Sequence, residues 1–207
     1  MMSAVLAAAS RLVSGACAEW RCARTSPDQR IYFANHSSHL DFIVIWSALP
    51  SNQRALARPV AGEDYWDRDP VRRYLSRHVF NAILVERNKP GSADAASAAR
   101  ESIHRMAQEM GSRHSLIVFP EGTRSVNGDV AMFKSGLYHL AQLRPDVELV
   151  PVHLENLNRI LPKGESLPVP MLSRLVFGAP IGVRQGETKE EFLTRARAAL
   201  MQLGGQS

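Results

Sequence analysis

The sequence predicts an α/β fold: a single domain with a mixed, mainly parallel sheet covered by helices. Three observations predict it. Short apolar runs alternate along the chain with longer helical patterns, and strands separated by helices assemble into a sheet that those helices cover. The chain has 207 residues, the size of one such domain. Its composition, 45% hydrophobic and 22% charged, is that of a globular protein and excludes a disordered, collagen-like or mucin-like chain. The longest uncharged run, Phe42 to Gln53, is twelve residues. A spanning helix needs about 20 apolar residues, so no transmembrane helix is expected.

Residues 3–23 read as one helix, with Val5, Leu6, Leu12, Val13, Ala16 and Trp20 on one face and Arg11, Arg21 and Arg24 flanking it. The segment 1–24 is then either a helix packed on the domain or an amphipathic anchor lying in a membrane interface, and 25–207 is the α/β domain. Ala16-Cys17-Ala18 resembles a signal-peptide cleavage site, but the basic start is missing and Arg11 interrupts the apolar stretch. Beyond it, strands are expected at 30–34, 58–62, 82–86, 115–119, 148–153 and 174–177. Helices are expected at 40–48, with Asp41 in the first turn, at 70–78, with Pro70 at its start, and at 92–110, closed by Gly111. Further helices are expected at 135–143 and 188–203. Residues 155–170, with three prolines and one glycine, read as a loop.

Charge and cysteines narrow the function classes. With 25 Lys+Arg against 20 Asp+Glu the formal net charge is +5, and 21 of the basic residues are arginine. The plainer reading is codon bias; the functional one is attraction to anionic partners such as phosphate groups, coenzyme A or acidic lipid headgroups. Nucleic acid is not an expected partner, because there is no long basic run, no zinc-ligand spacing and no interleaving of basic residues with stacking aromatics. The two cysteines, Cys17 and Cys22, make neither a disulfide framework nor a metal set, which suits a reducing compartment.

In a sheet of this kind ligands gather beyond the carboxyl ends of the strands. The first strand runs into Asn35-His36-Ser37-Ser38-His39-Leu40-Asp41. A tight turn would fold the Asp41 carboxylate back onto the His36 imidazole, leaving the other ring nitrogen for substrate, which is the arrangement a general base needs. Structural roles compete here: a packing or capping histidine, and an acid at a helix N-terminus. The strand 115–119 runs into Pro120-Glu121-Gly122-Thr123-Arg124-Ser125, a turn with backbone N–H groups, a hydroxyl and a guanidinium suited to cradling phosphate or carboxylate. Phe133-Lys134-Ser135-Gly136 opens a helix whose free N–H groups, beside Lys134, suit an anion, against the plainer reading of an ordinary helix start with a solvated lysine. Arg87 stands just past the strand 82–86. Together these place a base, an orienting acid and three cations on one rim.

The order Asn-His-x-x-x-x-Asp at 35–41, a hydrophobic strand ending in Arg87, Phe-Pro-Glu-Gly-Thr-Arg-Ser at 119–125 and Val-Pro-Val at 150–152 resembles the glycerolipid acyltransferases, the lysophosphatidic acid (1-acylglycerol-3-phosphate) acyltransferase-like family. The likeness runs from about Ile31 to Leu161. It implies a glycerol-3-phosphate (1)-acyltransferase-like fold and an O-acyltransferase. His36 would be the general base and Asp41 its partner. Arg87 would be a phosphate contact, Glu121, Gly122, Thr123 and Arg124 the acceptor-binding motif, Lys134 a further phosphate contact, and Pro151 part of the wall of the acyl or acceptor pocket. The chain departs from the family in carrying Asn81 where its second motif usually begins with glycine.

The activity this implies is transfer of an acyl group from acyl-CoA or acyl carrier protein to the hydroxyl of a lysophospholipid such as 1-acylglycerol-3-phosphate. No cofactor or metal is called for, and the expected location is peripheral, on the cytoplasmic side of the inner membrane. Other acceptors, glycerol-3-phosphate or a lyso-aminolipid, stay open. The rival readings are a metal-dependent hydrolase using His36, His39 and Asp41 and a silent lipid- or phosphate-binding module.

Overall fold

The computed structural model describes residues 6–10, 15–23, 29–38, 40–86, 95–125, 128–157 and 172–205. Its strands are β1 (Cys17–Trp20), β2 (Arg30–Ala34), β3 (Ala57–Gly62), β4 (Ile83–Val85), β5 (Ser115–Val118), β6 (Glu148–Glu155) and β7 (Arg174–Phe177). They form one sheet in the order β1-β7-β6-β2-β5-β3-β4. Neighbours are parallel except β6 and β7, which are antiparallel. Five strands therefore point one way, and the β1–β7 pair at one edge points the other. This is the mixed, mainly parallel sheet the sequence predicts.

The central strand explains why the sheet needs helices on both faces. All of Arg30–Ala34 is buried. Tyr32 and Ala34 belong to one core, Ile31 and Phe33 to the other, as side chains alternating across a doubly covered strand must. On the first face lies α1 (Asp41–Ala48), whose Phe42, Ile45 and Trp46 join Tyr32, Val150, Val152 and Phe177. Almost every residue of α1 is buried, so the first part of the long uncharged run, Phe42–Ala48, is a core helix, while its end starts a short helix, Ser51–Leu56, which has no buried residue. On the second face lie α5 (Ala95–Met110), α6 (Gly136–Leu143) and α7 (Lys189–Gly204), which bring Met106 and Met110, Leu137 and Leu140, and Phe192, Ala196 and Leu200 onto Ile31, Phe33 and Leu149. The buried residues of α7 recur every three or four positions, and a capping box of Thr188 and Glu191 starts the helix.

Several element readings change. The helix expected at 3–23 is interrupted. Residues 6–10 are helical, and Leu6 and Ala7 pack on the first core. Gly15 adopts φ +50, and Cys17–Trp20 is a strand. The cause is long-range: β1 pairs with β7 in register from Cys17–Arg174 to Trp20–Phe177, and the Trp20 ring stacks on Phe177 at 3.8 Å. A domain boundary at 24 would cut this sheet. Two short helices, α2 (Ser51–Leu56) and α3 (Glu63–Trp66), flank β3 unannounced. The helix at 70–78 is α-helical only over α4 (Pro70–Tyr74), where Asp69 caps the Arg72 amide, and goes on as a π turn over Leu75–Val79. Most of the loop at 155–170 and the start of the helix at 92 lie outside the described residues, and β6 runs on to Glu155. Among the described residues no helix is long and apolar enough to cross a membrane.

The edge packing gives a direct test. Phe177 is fully buried, stacked on Trp20 and edge-on to Tyr32. Phe177→Ala is expected to lower unfolding free energy by about 3–5 kcal/mol, the usual cost of truncating a buried phenylalanine, read from urea denaturation midpoints.

Candidate active site

Because β2, β3, β4, β5 and β6 run the same way, their carboxyl ends form one rim. The β2–β6 register ends at Ala34–Val152. At the next step the backbone pairing is replaced by a side chain: the Asn35 amide donates to the Leu154 carbonyl at 2.9 Å, and its carbonyl oxygen accepts from the Leu154 N–H at 2.8 Å. Asn35 so satisfies β6 while the main chain turns away, carrying His36 onto the rim.

The turn from His36 to α1 is built around the Asp41 carboxylate. Its Oδ2 accepts from Ser37 N–H at 2.6 Å and Ser38 N–H at 2.9 Å, and lies 2.7 Å from His36 Nδ1. Asp41 is fully buried, while the His36 side chain keeps 14% of its surface exposed. Asp41 Oδ1 has no hydrogen-bond partner among the described residues, so the carboxylate addresses the imidazole through one oxygen. A neutral imidazole that donates Nδ1–H to that oxygen carries its lone pair on Nε2, the nitrogen free to take a proton. Phe119 stacks on the ring at 4.2 Å between centroids, with 20° between the planes.

The turn after β5 is fastened to the same histidine. Ser125 N–H donates to the His36 carbonyl at 2.7 Å, so Arg124 sits one residue from a direct backbone bond to His36. Glu121 is buried and accepts from His36 N–H on Oε1 and from Ala131 N–H on Oε2, both at 2.8 Å. Burial pushes its carboxyl above the usual range, against the pull of those two amides. Gly122 N–H closes the turn onto the Phe119 carbonyl at 3.0 Å, and Lys134 N–H donates to the Pro120 carbonyl at 2.8 Å. Gly122 has φ +71, and a Cβ there would lie 2.6 Å from Lys134 Nζ. Only glycine suits both that backbone and a lysine laid across it.

The structure thus brings together His36, Asp41, Glu121, Gly122, Arg124 and Lys134. Thr123 is exposed on the same turn. Pro151 lies elsewhere: it is buried in mid-strand opposite Phe33, under Gly178, where a Cβ would come within 2.9 Å of its ring. Arg87 and His39 lie outside the described residues. Asn35 and Phe119 stand first in the two motifs that carry the resemblance, but sequence reasoning gives neither a role: it misses the bridge of Asn35 to Leu154 and the stacking of Phe119 on His36. As for a metal, no group of three or more His, Cys, Asp or Glu side chains is placed to hold one among the described residues. Asp41 Oδ2 is already shared by His36 and two backbone amides.

The chain that carries this site has relatives among known proteins. The acyltransferase family model matches residues 23–155, and the chain belongs to that family. Among curated proteins it is 33% identical over 150 residues to a 1-acyl-sn-glycerol-3-phosphate acyltransferase of Limnanthes alba, covering 68% of this chain and 47% of that protein. It is 32% identical over 136 residues to one of Cocos nucifera, covering 62% and 38%. Against the human alpha form it is 31% identical over 123 residues, covering 59% and 39%. The chain therefore spans about two fifths to a half of the length of these relatives. Among solved structures, the 1-acyl-sn-glycerophosphate (LPA) acyltransferase PlsC of Thermotoga maritima superposes with a TM-score of 0.70 at 21% identity, covering 97% of this chain and 79% of that one. At that identity the likeness shows the fold.

Asn35 supplies a test of how the rim is built. Asn35→Ala leaves the Leu154 N–H and C=O without their partner in a buried place. A loss of about 1–3 kcal/mol per orphaned group is expected, measured by thermal or urea unfolding.

Proposed function

We propose that the protein is an O-acyltransferase that moves a fatty acyl group from a thioester, acyl-CoA or acyl carrier protein, to the hydroxyl of a lysophospholipid, with 1-acylglycerol-3-phosphate the leading acceptor. The observation that carries the reading is the 2.7 Å contact of His36 Nδ1 with buried Asp41, on a rim where the turn holding Arg124 is bonded to the His36 backbone. Family membership supports the reaction class, and the names of the relatives support the acceptor.

In this reading His36 Nε2 takes the proton of the acceptor hydroxyl as its oxygen attacks the thioester carbonyl. The Asp41 carboxylate stabilises the imidazolium that forms. The tetrahedral intermediate collapses with loss of the thiolate, which recovers the proton from His36. The products are the acylated lipid and free thiol, with no acyl-enzyme. Arg124 and Lys134 hold the acceptor phosphate, joined by Arg87 as the resemblance implies, and the Gly122–Thr123 turn lets the headgroup approach the backbone. Positioning and stabilisation of the developing oxyanion supply most of the rate. Pro151 contributes by packing within β6. The acceptor carries a fatty chain and is presented by a bilayer, so the reading includes peripheral membrane attachment.

His36→Ala is expected to reduce acyl transfer by about 10²- to 10⁴-fold, the usual contribution of a general base, with the melting temperature little changed. Labelled acyl-CoA and a panel of acceptors read by mass spectrometry check it, and wild-type turnover in the variant would end the assignment. Arg124→Ala is expected to raise KM for phosphate-bearing acceptors about tenfold or more, the worth of one charge-assisted hydrogen bond, with a smaller change in kcat. An unaltered KM would remove Arg124 from the acceptor site.

A further inference from the structure

Glu121 stands in the turn whose resemblance implies acceptor binding, yet its carboxylate faces inward. One oxygen accepts the His36 N–H and the other the Ala131 N–H, and the residue is 3% exposed. A buried carboxylate is tolerated only when its oxygens are bonded, and here a backbone amide occupies each. The His36 peptide is gripped on its other side by Ser125 N–H, from the same turn. Glu121 therefore joins the exit of β2, the exit of β5 and the stretch leading to Lys134. The chemistry of the side chain fits this task closely. A carboxylate offers two acceptor oxygens and no donor, whereas a glutamine amide offers one acceptor and turns N–H groups toward the second backbone N–H.

We infer that Glu121 is a positioning residue for His36, setting the distance between the imidazole and the turn that bears Arg124 and Lys134, and that it acts on proton transfer rather than on acceptor affinity. The inference rests on the acyltransferase reading and gives this residue a role different from the one the resemblance implies. Loss of the clasp releases the His36 N–H while Ser125 still holds its carbonyl, so the ring can swing away from Asp41 and no longer meets the acceptor hydroxyl in register.

The test uses the purified full chain and its E121Q variant, with lysophosphatidic acid and acyl-CoA. A fall in kcat of tenfold or more, with KM for lysophosphatidic acid within threefold of wild type, is expected. A second readout needs no turnover: the ¹⁵N shifts of the His36 ring in the substrate-free protein should move from one dominant tautomer toward a mixture in the variant. Should E121Q not fold, E121D takes its place under both readouts, since it keeps the charge and loses the reach. A raised KM with preserved kcat, or His36 ring shifts identical to wild type, overturns the inference. If the wild type transfers no acyl group, the functional reading fails instead, and the ring shifts alone decide the role of Glu121.

Discussion

One buried carboxylate organises the rim. Asp41 has no exposed surface, and its Oδ2 gathers two backbone amides and an imidazole nitrogen. Removing a charge from water is expensive unless donors replace the solvent. Those donors exist only if residues 36–38 curl tightly around the first turn of α1. The same bonds that make the charge tolerable therefore fix the loop, the tautomer and the direction of the histidine ring. Phe42, the next residue in the helix, is wedged against Trp66 and Phe80, so the helix bearing the acid is held by aromatic packing.

The parallel run of five strands does the remaining positioning. Each strand end delivers its loop to one side of the sheet, and the two loops that matter, after β2 and after β5, leave adjacent strands. They are then stitched together at the His36 backbone, its carbonyl accepting from the Ser125 amide and its N–H donating to the Glu121 carboxylate. Side-chain chemistry is thereby set by main-chain geometry, which moves less than long side chains do. Gly122 and Lys134 show the same economy: a residue without a side chain makes the room in which a lysine lies against the turn.

Much of this was legible in the residues. The alternation of strands and helices read directly, because β2, β5 and β6 are short apolar runs bounded by turn residues. The five-residue spacing of His36 and Asp41 also read as a contact, since a turn followed by one helical step leaves little freedom. What did not read was long-range. An alanine-rich start looks helical from any local window, and only β7, far along the chain, makes Cys17–Trp20 a strand. Glu121, amid Gly122, Thr123 and Arg124, looks like one more polar group facing solvent, because nothing local announces the two amides that claim it. Phe119 ends the apolar run of β5, and its stacking on His36 depends on a neighbouring strand. Pro151 sits within a motif and yet points into packing, because a strand alternates faces regardless of the motif it carries.

The edge strand β1 has a consequence for biosynthesis. Among the described residues its partner in the sheet is β7, paired from Cys17–Arg174 to Trp20–Phe177. Ribosomes release upstream segments first, so β1 stays without this partner until β7, far downstream, has emerged. Closing so distant a contact is slow. The pairing thus joins two segments that leave the ribosome far apart in time.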